Sequence, residues 1–381
     1  LAGLFDAATV REVRAAIEGE TGIPARNVLL CSTHTHAGPD TLGLLFDAPR
    51  NEGYLARLKA ALVEGAREAA ASARPARVGW GLGSAHVGYN RRLCWADGSH
   101  TMYGDSSRPA FAGIEGPDDP SHAALFAVGE EGRPIAVLHN NSSHATCMES
   151  ASFATADFPG EARRLLRGAL GPGLPVLYLQ GASGDTSPWN MAAGGKRYDG
   201  ETRAREMGAT LAAETLRLLR SASFTEAPAL HHTVEDVEIA LRIPDAKTLA
   251  RAEETVLLGP EKAARRELVD AASLLRLRRE FGAHPVEKLA VHALRVGDFG
   301  LATNPCELYC QFGLDIKRRS PAAVTAVAQL TDGFSGYCPT IPALLGGGYS
   351  VETIYWCRLE PYAGYRLVEA SARLLNRIWQ E

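Results

Sequence analysis

The 381-residue chain lacks several features that would assign it to a specialised class of protein. Its 40 Lys and Arg residues are outnumbered by 44 Asp and Glu residues, so it has no basic excess of the kind that nucleic-acid binding requires. Its apolar runs, such as residues 175–179, are far shorter than the ~20 residues of a transmembrane helix. Hydrophobic residues make up 46% and charged residues 22%, as in an ordinary folded domain. These properties predict a soluble globular protein without a nucleic-acid partner.

Cysteine pairs are also missing. The seven cysteines are odd in number, and no CxxC motif occurs among Cys31, Cys94, Cys147, Cys306, Cys310, Cys338 and Cys357. We therefore expect neither a disulfide framework nor a cysteine-rich zinc site. Free thiols slightly favour the cytoplasm, but the chain begins at Leu1 without Met or a signal-peptide pattern. The compartment is thus left open, and the N-terminus looks incomplete.

Strand-like and helix-like segments alternate along the chain, which predicts an α/β fold with a layered mixed β-sheet and flanking helices. Helical spacing of apolar residues occurs at 8–19, 54–74, 160–169, 202–220 and 363–380. Buried strands are predicted at 28–32, 135–139, 176–180, 299–303 and 324–330, and a half-exposed strand at 232–241. We expect one domain over residues 1–381, with a helical insertion at 245–282 that covers or flanks it.

Four of these strands end in polar, turn-forming clusters. The clusters begin at Thr33, His139, Gln180 and Asn304. Strand ends are often polar, but ligands bind at the carboxyl ends of strands in open α/β sheets. Three of the clusters also contain a candidate metal ligand, so we interpret them as parts of one site.

The candidate ligands are histidines and one carboxylate. His34 and His36 are separated by one residue, which directs both imidazoles to the same side of an extended segment. His144 follows a turn of Asn and Ser residues, whereas Glu307 lies where a first helical turn would also accept an acid. Two histidines and a carboxylate with an open position form one of the catalytic zinc patterns. Each residue alone has an ordinary structural alternative.

Other candidates have stronger structural alternatives. Asp157 precedes a helix, so it could cap this helix rather than take part in a ligand site. Asp185 and Ser187 lie in a Gly-rich turn that lacks both the G-x-S-x-G spacing of an esterase elbow and a Walker lysine. Its backbone amides could hold an anion, or the turn could have no function beyond its own hydrogen bonds. Arg91, Tyr337 and Tyr349 would, considered singly, be surface or packing residues.

Taken together, these blocks resemble the neutral/alkaline, non-lysosomal ceramidase family of zinc amidases. Six blocks occur in the family's order: STHTHAGP (32–39), Asn90-Arg91, SSHATCM (142–148), QGASGDTSP (180–188), NPCE (304–307) and GFSGYCPT (333–340). They extend over some 300 residues, up to about Tyr349. The resemblance implies the fold of the ceramidase catalytic domain. The family's proteins are longer and end in a β-sandwich domain, so we expect a short member that lacks this domain.

The resemblance also implies a role for each site residue. His34, His144, Glu307 and Tyr337 would bind one zinc ion, and His36 would act as the acid/base group beside the metal's water. Arg91 and Tyr349 would stabilise the carbonyl oxygen as it becomes an oxyanion. Asp185 and Ser187 match the family's GDxSP loop beside the site, and Asp157 is expected to cap a helix or to support the ligands from behind them.

The predicted function is zinc-dependent hydrolysis of an N-acyl amide bond, in ceramide or a related lipid-like or small amide. Where the family has an acidic stretch, this chain has apolar residues 341–345 and Gly346–Gly348. Metal-dependent amide hydrolysis is therefore better supported than ceramide itself as the substrate. The alternatives are an esterase or other hydrolase on the same scaffold, or a binding protein without activity. Oligomeric state and any second metal stay open.

Overall fold

The computed structural model describes residues 5–44, 48–194 and 198–381. Within these ranges the α-helices are α1 (Ala7–Thr21), α2 (Glu52–Ala71), α3 (Asp157–Leu170), α4 (Gly200–Ser221), α5 (Ala246–Leu258), α6 (Arg265–Phe281), α7 (Cys310–Arg319), α8 (Ile341–Gly346) and α9 (Ala363–Gln380). All segments predicted to be helical from apolar spacing are helices. The stretch 245–282 forms the helix pair α5 and α6.

Three helices begin with the same local signal, an Asp three residues before a Thr. The carboxylates of Asp6, Asp199 and Asp245 each accept a hydrogen bond from the backbone N–H of that Thr. This contact satisfies one of the amides that the first turn of a helix leaves unpaired. The starts of α1, α4 and α5 are therefore encoded locally.

The strands are β1 (Arg77–Ser84), β2 (Tyr89–Asn90), β3 (Arg92–Trp95), β4 (His100–Met102), β5 (Phe111–Ile114), β6 (Ser121–Val128), β7 (Pro134–Asn141), β8 (Val176–Gln180), β9 (Thr186–Ser187), β10 (Phe224–Thr225), β11 (Leu230–Ala240), β12 (Val286–Val296), β13 (Phe299–Thr303), β14 (Cys306–Leu308), β15 (Val324–Ala328) and β16 (Gly336–Cys338). The larger sheets have the orders β10-β1-β6-β7-β8 and β11-β12-β13-β15. Each is mixed, because β7–β8 and β13–β15 are parallel and the other pairs are antiparallel. The predicted mixed α/β fold is confirmed.

The two large sheets pack face to face between two layers of helices. Alternate residues of β6 and β15, such as Ala123 and Ala326, meet between the sheets. The next residue of β6, Ala124, instead faces the side of α4 with Leu218. On the far side, α9 packs against β11, β12 and β13 through Leu374 and its neighbours, and α7 packs against α9 and β15. Strands covered on both faces explain the continuous apolar runs in the sequence.

The prediction of a strand at residues 28–32 is wrong. Within this segment only Cys31 makes a β-bridge, an isolated one with Thr331. The remaining hydrogen-bonding groups pair with a turn and with side chains: Ser32 N–H donates to the Leu330 carbonyl, and Leu30 N–H donates to the Asp332 carboxylate. An apolar run bounded by turn residues predicts burial, but the partner of its backbone depends on tertiary contacts.

All seven cysteines are free, as expected from their number and spacing. In the part of the chain that the structure describes, no helix has both the length and the apolar character needed to cross a membrane.

Truncation of a buried side chain of α9 tests this packing. We predict that Leu374→Ala lowers the free energy of unfolding by about 2–5 kcal/mol, because Leu374 is fully buried and its loss leaves a cavity. Leu257→Ala is the matched control, since this leucine in α5 is 86% exposed, and we expect a change within about 0.5 kcal/mol. Denaturant unfolding of both variants is the measurement. Equal losses would contradict the assigned packing.

Candidate metal centre

The candidate ligands come from four separate parts of the chain. His34 and His36 lie in the loop after residue 32, and His144 follows β7 by three residues. Glu307 and Tyr337 lie in β14 and β16, which pair in parallel with these two residues directly opposite each other. Opposed residues in a ladder present neighbouring side chains, so this short pairing brings the carboxylate and the phenol together.

Three imidazoles and one carboxylate converge on a common point. The Nε2 atom of His34 lies 3.0 Å from Nε2 of His144 and 3.2 Å from Nε2 of His36. The Oε2 atom of Glu307 lies 3.4 Å from His34 Nε2 and 3.3 Å from His144 Nε2. Zinc binds such atoms at ~2.0–2.2 Å, so the edge of a tetrahedron of its ligands is roughly 3.3 Å. The spacing and the donor types therefore fit a zinc ion, and the group of three histidines could hold a metal.

The hydrogen bond behind His144 orients it as a ligand. Its Nδ1 lies 2.7 Å from the Ser183 carbonyl oxygen, which can only accept, so Nδ1 carries the proton. The lone pair of Nε2 then points into the cluster, the arrangement that metal-binding histidines generally have. His34 has a φ of 60°, a backbone conformation rarely adopted outside glycine and common at functional sites.

Burial sets the charges of these ligands. It lowers the pKa of His144 to about 3 and, with help from His34 and His144, holds the pKa of His36 well below its usual range. Both imidazoles are therefore neutral near pH 7, the form that binds metals. Burial opposes the charge of Glu307, but the adjacent His34 lowers its pKa well below the ordinary value. Its Oε2 is buried without a hydrogen bond from the described residues, so this oxygen is available to bind a cation.

Arg91 supports the cluster from one side. Its guanidinium donates to the Tyr103 hydroxyl and the Gly184 carbonyl, each at 2.8 Å, and Nη2 lies 3.4 Å from the Tyr337 hydroxyl. Burial works against its charge, but the oxygens of Tyr103 and Tyr337 raise its pKa. A permanent positive charge is thus held beside Tyr337.

A cavity of about 750 Å³ opens onto the cluster. Its lining includes His34, His36, Glu307, Tyr337 and Tyr349, but not Arg91. The other walls are largely apolar but include one aspartate and two arginines from the start of α6: Gly38, Asp40, Leu44, Ala48, Val269, Phe334, Trp356, Arg265 and Arg266. The Arg266 guanidinium lies 5.2 Å from the centre of the Tyr349 ring, within the range of a cation–π contact.

The residues of α6 and Trp356 were missed by sequence reasoning. The Arg- and Leu-rich composition of 245–282 indicated a helical covering, but composition does not show which turn of a helix faces a cavity. Trp356 had no signal at all, since it belongs to no motif. The structure thus adds a wall to the site that the motifs did not contain.

Asp185 lies next to the site without entering the cavity. Its carboxylate accepts hydrogen bonds from the Asn90 side chain at 2.8 Å and from the Cys310 backbone N–H at 2.7 Å. Its backbone carbonyl accepts from Arg91 N–H. Burial raises the pKa of Asp185 to about 6. This aspartate joins the loop 180–188, the Arg91 segment and the start of α7 behind the ligands.

Ser187 and Asp157 make contacts of the structural kind. The Ser187 hydroxyl donates to the Trp189 carbonyl and accepts from Trp189 N–H, so it forms a local turn. The Asp157 carboxylate accepts from the backbone N–H groups of Met148 and Phe158 at the start of α3. Neither residue lines the cavity. The Ser187 contacts agree with the turn alternative. The N-cap of α3 is Ala156, without a side-chain hydrogen bond, so Asp157 is the first residue of the helix and does not cap it. A role in catalysis stays a prediction for both.

The fold and the site together define a mixed α/β protein with a buried cluster of histidines and a carboxylate that could hold a metal ion. Solved ceramidases share this fold: the neutral ceramidase from Pseudomonas aeruginosa matches with a TM-score of 0.71 and 17% sequence identity, over 99% of this chain and 65% of that chain. A ceramidase complexed with C2 matches with a TM-score of 0.70 and 16% identity, over 99% and 66%. This chain therefore spans about two-thirds of their length.

At this identity the comparison establishes the fold, and it confirms the structural resemblance that the sequence blocks predicted. No protein-family model matches the chain, and no curated protein matches it by sequence.

The raised pKa of Asp185 generates a prediction about stability and pH. Because the folded state keeps the proton up to about pH 6 and the unfolded chain loses it near 3.8, stability falls as the pH rises through this window. The full effect is about 3 kcal/mol. We predict that the free energy of unfolding of Asp185→Asn, relative to the natural chain, rises by about this amount from pH 3.5 to 7. Urea unfolding at several pH values measures it, and a pH-independent difference would contradict it.

Proposed function

We propose that this protein is a zinc-dependent hydrolase that cleaves an N-acyl amide bond with water. The observation that supports the proposal most directly is the convergence of His34, His144 and Glu307 at spacings of 3.0–3.4 Å beside a large cavity. Hydrolysis adds the oxygen of water to the carbonyl carbon, breaks the carbon–nitrogen bond and transfers one proton to nitrogen. The site must therefore supply a nucleophile, a proton carrier and a donor for the carbonyl oxygen.

We assign one zinc ion to His34, His144, Glu307 and Tyr337. Zinc in such a site lowers the pKa of bound water to roughly 7 and so supplies hydroxide at neutral pH. Tyr337 fits this set because its strand pairing places it beside Glu307 and its ring lies on the cavity wall. The Ser183 carbonyl keeps His144 in the ligating tautomer.

His36 is the proposed proton carrier. It lines the cavity, it is less buried than His34 and His144, and its Nε2 lies 3.2 Å from Nε2 of His34. Burial lowers the pKa of His36, so the imidazole is neutral and can accept a proton from water before it delivers that proton to the leaving nitrogen.

Tyr349 is the proposed donor to the carbonyl oxygen as negative charge develops there. Burial and the nearby Glu307 raise the pKa of Tyr349 to about 12, so its hydroxyl keeps its proton at neutral pH. Its ring packs against Tyr337 with 5.7 Å between the ring centres. Arg91 reaches the site through the Tyr337 hydroxyl, and we propose that its charge stabilises the same oxyanion from behind this phenol.

The apolar walls of the cavity favour an acyl chain or a lipid-like amine as part of the substrate. Ceramide is one such amide, and the two matching structures are ceramidases. An esterase with the same site would share the metal and the oxyanion donor. Release of acid from a short-chain fluorescent N-acylsphingosine, compared with a panel of other amides and esters, separates these cases. Turnover of esters without turnover of any amide would overturn the proposal.

Two substitutions distinguish a ligand from the proton carrier. We predict that Glu307→Ala lowers the zinc content of the purified protein, whereas His36→Ala keeps near-stoichiometric zinc and abolishes turnover. Elemental analysis alongside the amide assay is the measurement. Loss of zinc in His36→Ala would make His36 a ligand instead, and unchanged zinc in Glu307→Ala would remove this carboxylate from the set.

Removal of one hydroxyl tests the oxyanion donor. We predict that Tyr349→Phe reduces kcat by ~100- to 1,000-fold, the usual effect of losing one such donor, while zinc content stays the same. Tyr365→Phe is the matched control, because this tyrosine of α9 is 42% exposed and does not line the cavity. A kcat for Tyr349→Phe within a few-fold of the natural value would exclude the assigned role.

A further inference from the structure

The segment that leads into His34 and His36 is held by one short backbone bridge to residues 330–332 and by side chains, and it is not a strand of a sheet. Residues 28–32 have a single β-bridge, that of Cys31 with Thr331. Asp332 makes two hydrogen bonds to Leu30 of this segment. Its carboxylate Oδ1 accepts from the Leu30 N–H at 2.9 Å, and its backbone N–H donates to the Leu30 carbonyl at 2.9 Å. The segment that carries the two histidines thus depends on one aspartate about 300 residues further along the chain.

The second oxygen of Asp332 is clamped by two donors, the half-buried Arg14 and the buried His292. Its Oδ2 lies 2.7 Å from Nη2 of Arg14 and 3.0 Å from Nε2 of His292. Arg14 also donates from Nε to the Val28 carbonyl at 2.6 Å, so it joins the aspartate to the beginning of the same segment. The carboxylate and His292 are 2% and 1% exposed, which keeps water from replacing these contacts.

His292 is itself fixed from the opposite side. Its Nδ1 lies 2.9 Å from Nε2 of His232, and Nδ1 of His232 lies 3.1 Å from the Asn27 side chain. A carboxylate only accepts, so the Nε2 of His292 carries the proton and donates to Asp332. Asn27, Arg14, His232 and His292 come from the segment before residue 28, α1, β11 and β12, so four parts of the fold act on one carboxylate.

We propose that Asp332, clamped by Arg14 and His292, is a positioning residue that holds the loop of His34 and His36 against His144. Asp332 touches neither the cavity nor a candidate ligand, and it acts through residues 28–32. The backbone of His36 links this loop to the neighbourhood of His144, because the His36 N–H donates to the carbonyl of Ala145, the residue after His144. Asp332 has a φ of 63°, a strained conformation that the surrounding contacts maintain.

The proposal rests on the proposed metal site for its effect on function, but its structural part can be tested without a metal. The Asp332→Asn side chain keeps an oxygen that can accept from Leu30 N–H. Its amide nitrogen replaces the oxygen to which Arg14 and His292 donate, and this nitrogen cannot accept a hydrogen bond. Arg14→Met removes the clamp at a less buried position. Arg14→Lys keeps a cation for Asp332 but loses the Nε contact with Val28.

The control is Glu214→Gln. Like Asp332, Glu214 is a carboxylate that accepts hydrogen bonds from a backbone amide, Ser84 N–H, and from an arginine, Arg217. It lies on α4, away from the candidate ligands. Two measurements are made on each full-length variant: hydrogen exchange of the Leu30, Ser32 and His36 amides, and the rate at which zinc passes to a chelator. The kcat and KM of each variant are also measured with the amide substrate that the natural protein cleaves fastest.

We expect Asp332→Asn and Arg14→Met to accelerate exchange at these three amides and zinc release by at least ~10-fold, and to lower kcat with little change in KM. We expect Arg14→Lys to recover part of each effect. Exchange that stays at the natural rate, or that accelerates evenly over the whole chain as in a general loss of stability, overturns the proposal. A natural protein that holds no zinc overturns the proposed function, and hydrogen exchange then decides the positioning role alone.

Discussion

Four buried donor atoms, from His34, His36, His144 and Glu307, lie within a few ångströms of one another, and much of the surrounding structure serves this arrangement. Burial of lone pairs and a carboxylate without a cation between them is unfavourable. The same atoms are the ligands that zinc prefers, and their spacing fits its coordination sphere. The Ser183 carbonyl, the β14–β16 pairing and the unusual backbone of His34 all maintain this convergence.

The support behind the ligands is polar and buried, which explains why it comes from distant parts of the chain. Asp185 joins the loop 180–188 to α7 and to the segment of Arg91, and Asp332 joins residues 28–32 to α1 and β12. Each carboxylate must be fully hydrogen-bonded to be tolerated in the interior. These networks therefore restrict the backbone around the ligands more than apolar packing alone would.

The cavity is lined partly by residues of the candidate metal centre and partly by a helix that lies outside the sheets. The helix pair α5 and α6 connects two adjacent strands of the second large sheet, and the start of α6 reaches the cavity with Arg265, Arg266 and Val269. The candidate ligands and His36, the proposed proton carrier, lie on the loops and short strands of the core, whereas the cavity wall comes partly from this helix.

Apolar spacing in the sequence was enough for most of the helices, because it acts within a few residues, but it did not predict the short helix α8. Local signals were also enough for most buried strands and for the expectation that His34, His144 and Glu307 converge, since these residues follow apolar segments in distinctive motifs. The segment 28–32 was misjudged, because an apolar run looks the same whether its backbone pairs with a strand or with the side chain of Asp332. Which oxygen receives Leu30 N–H, which carbonyl orients His144, and which turn of α6 faces the cavity depend on contacts between residues far apart in the chain. Such contacts exist only once the sheets and helices have packed, so the tertiary structure alone decided them.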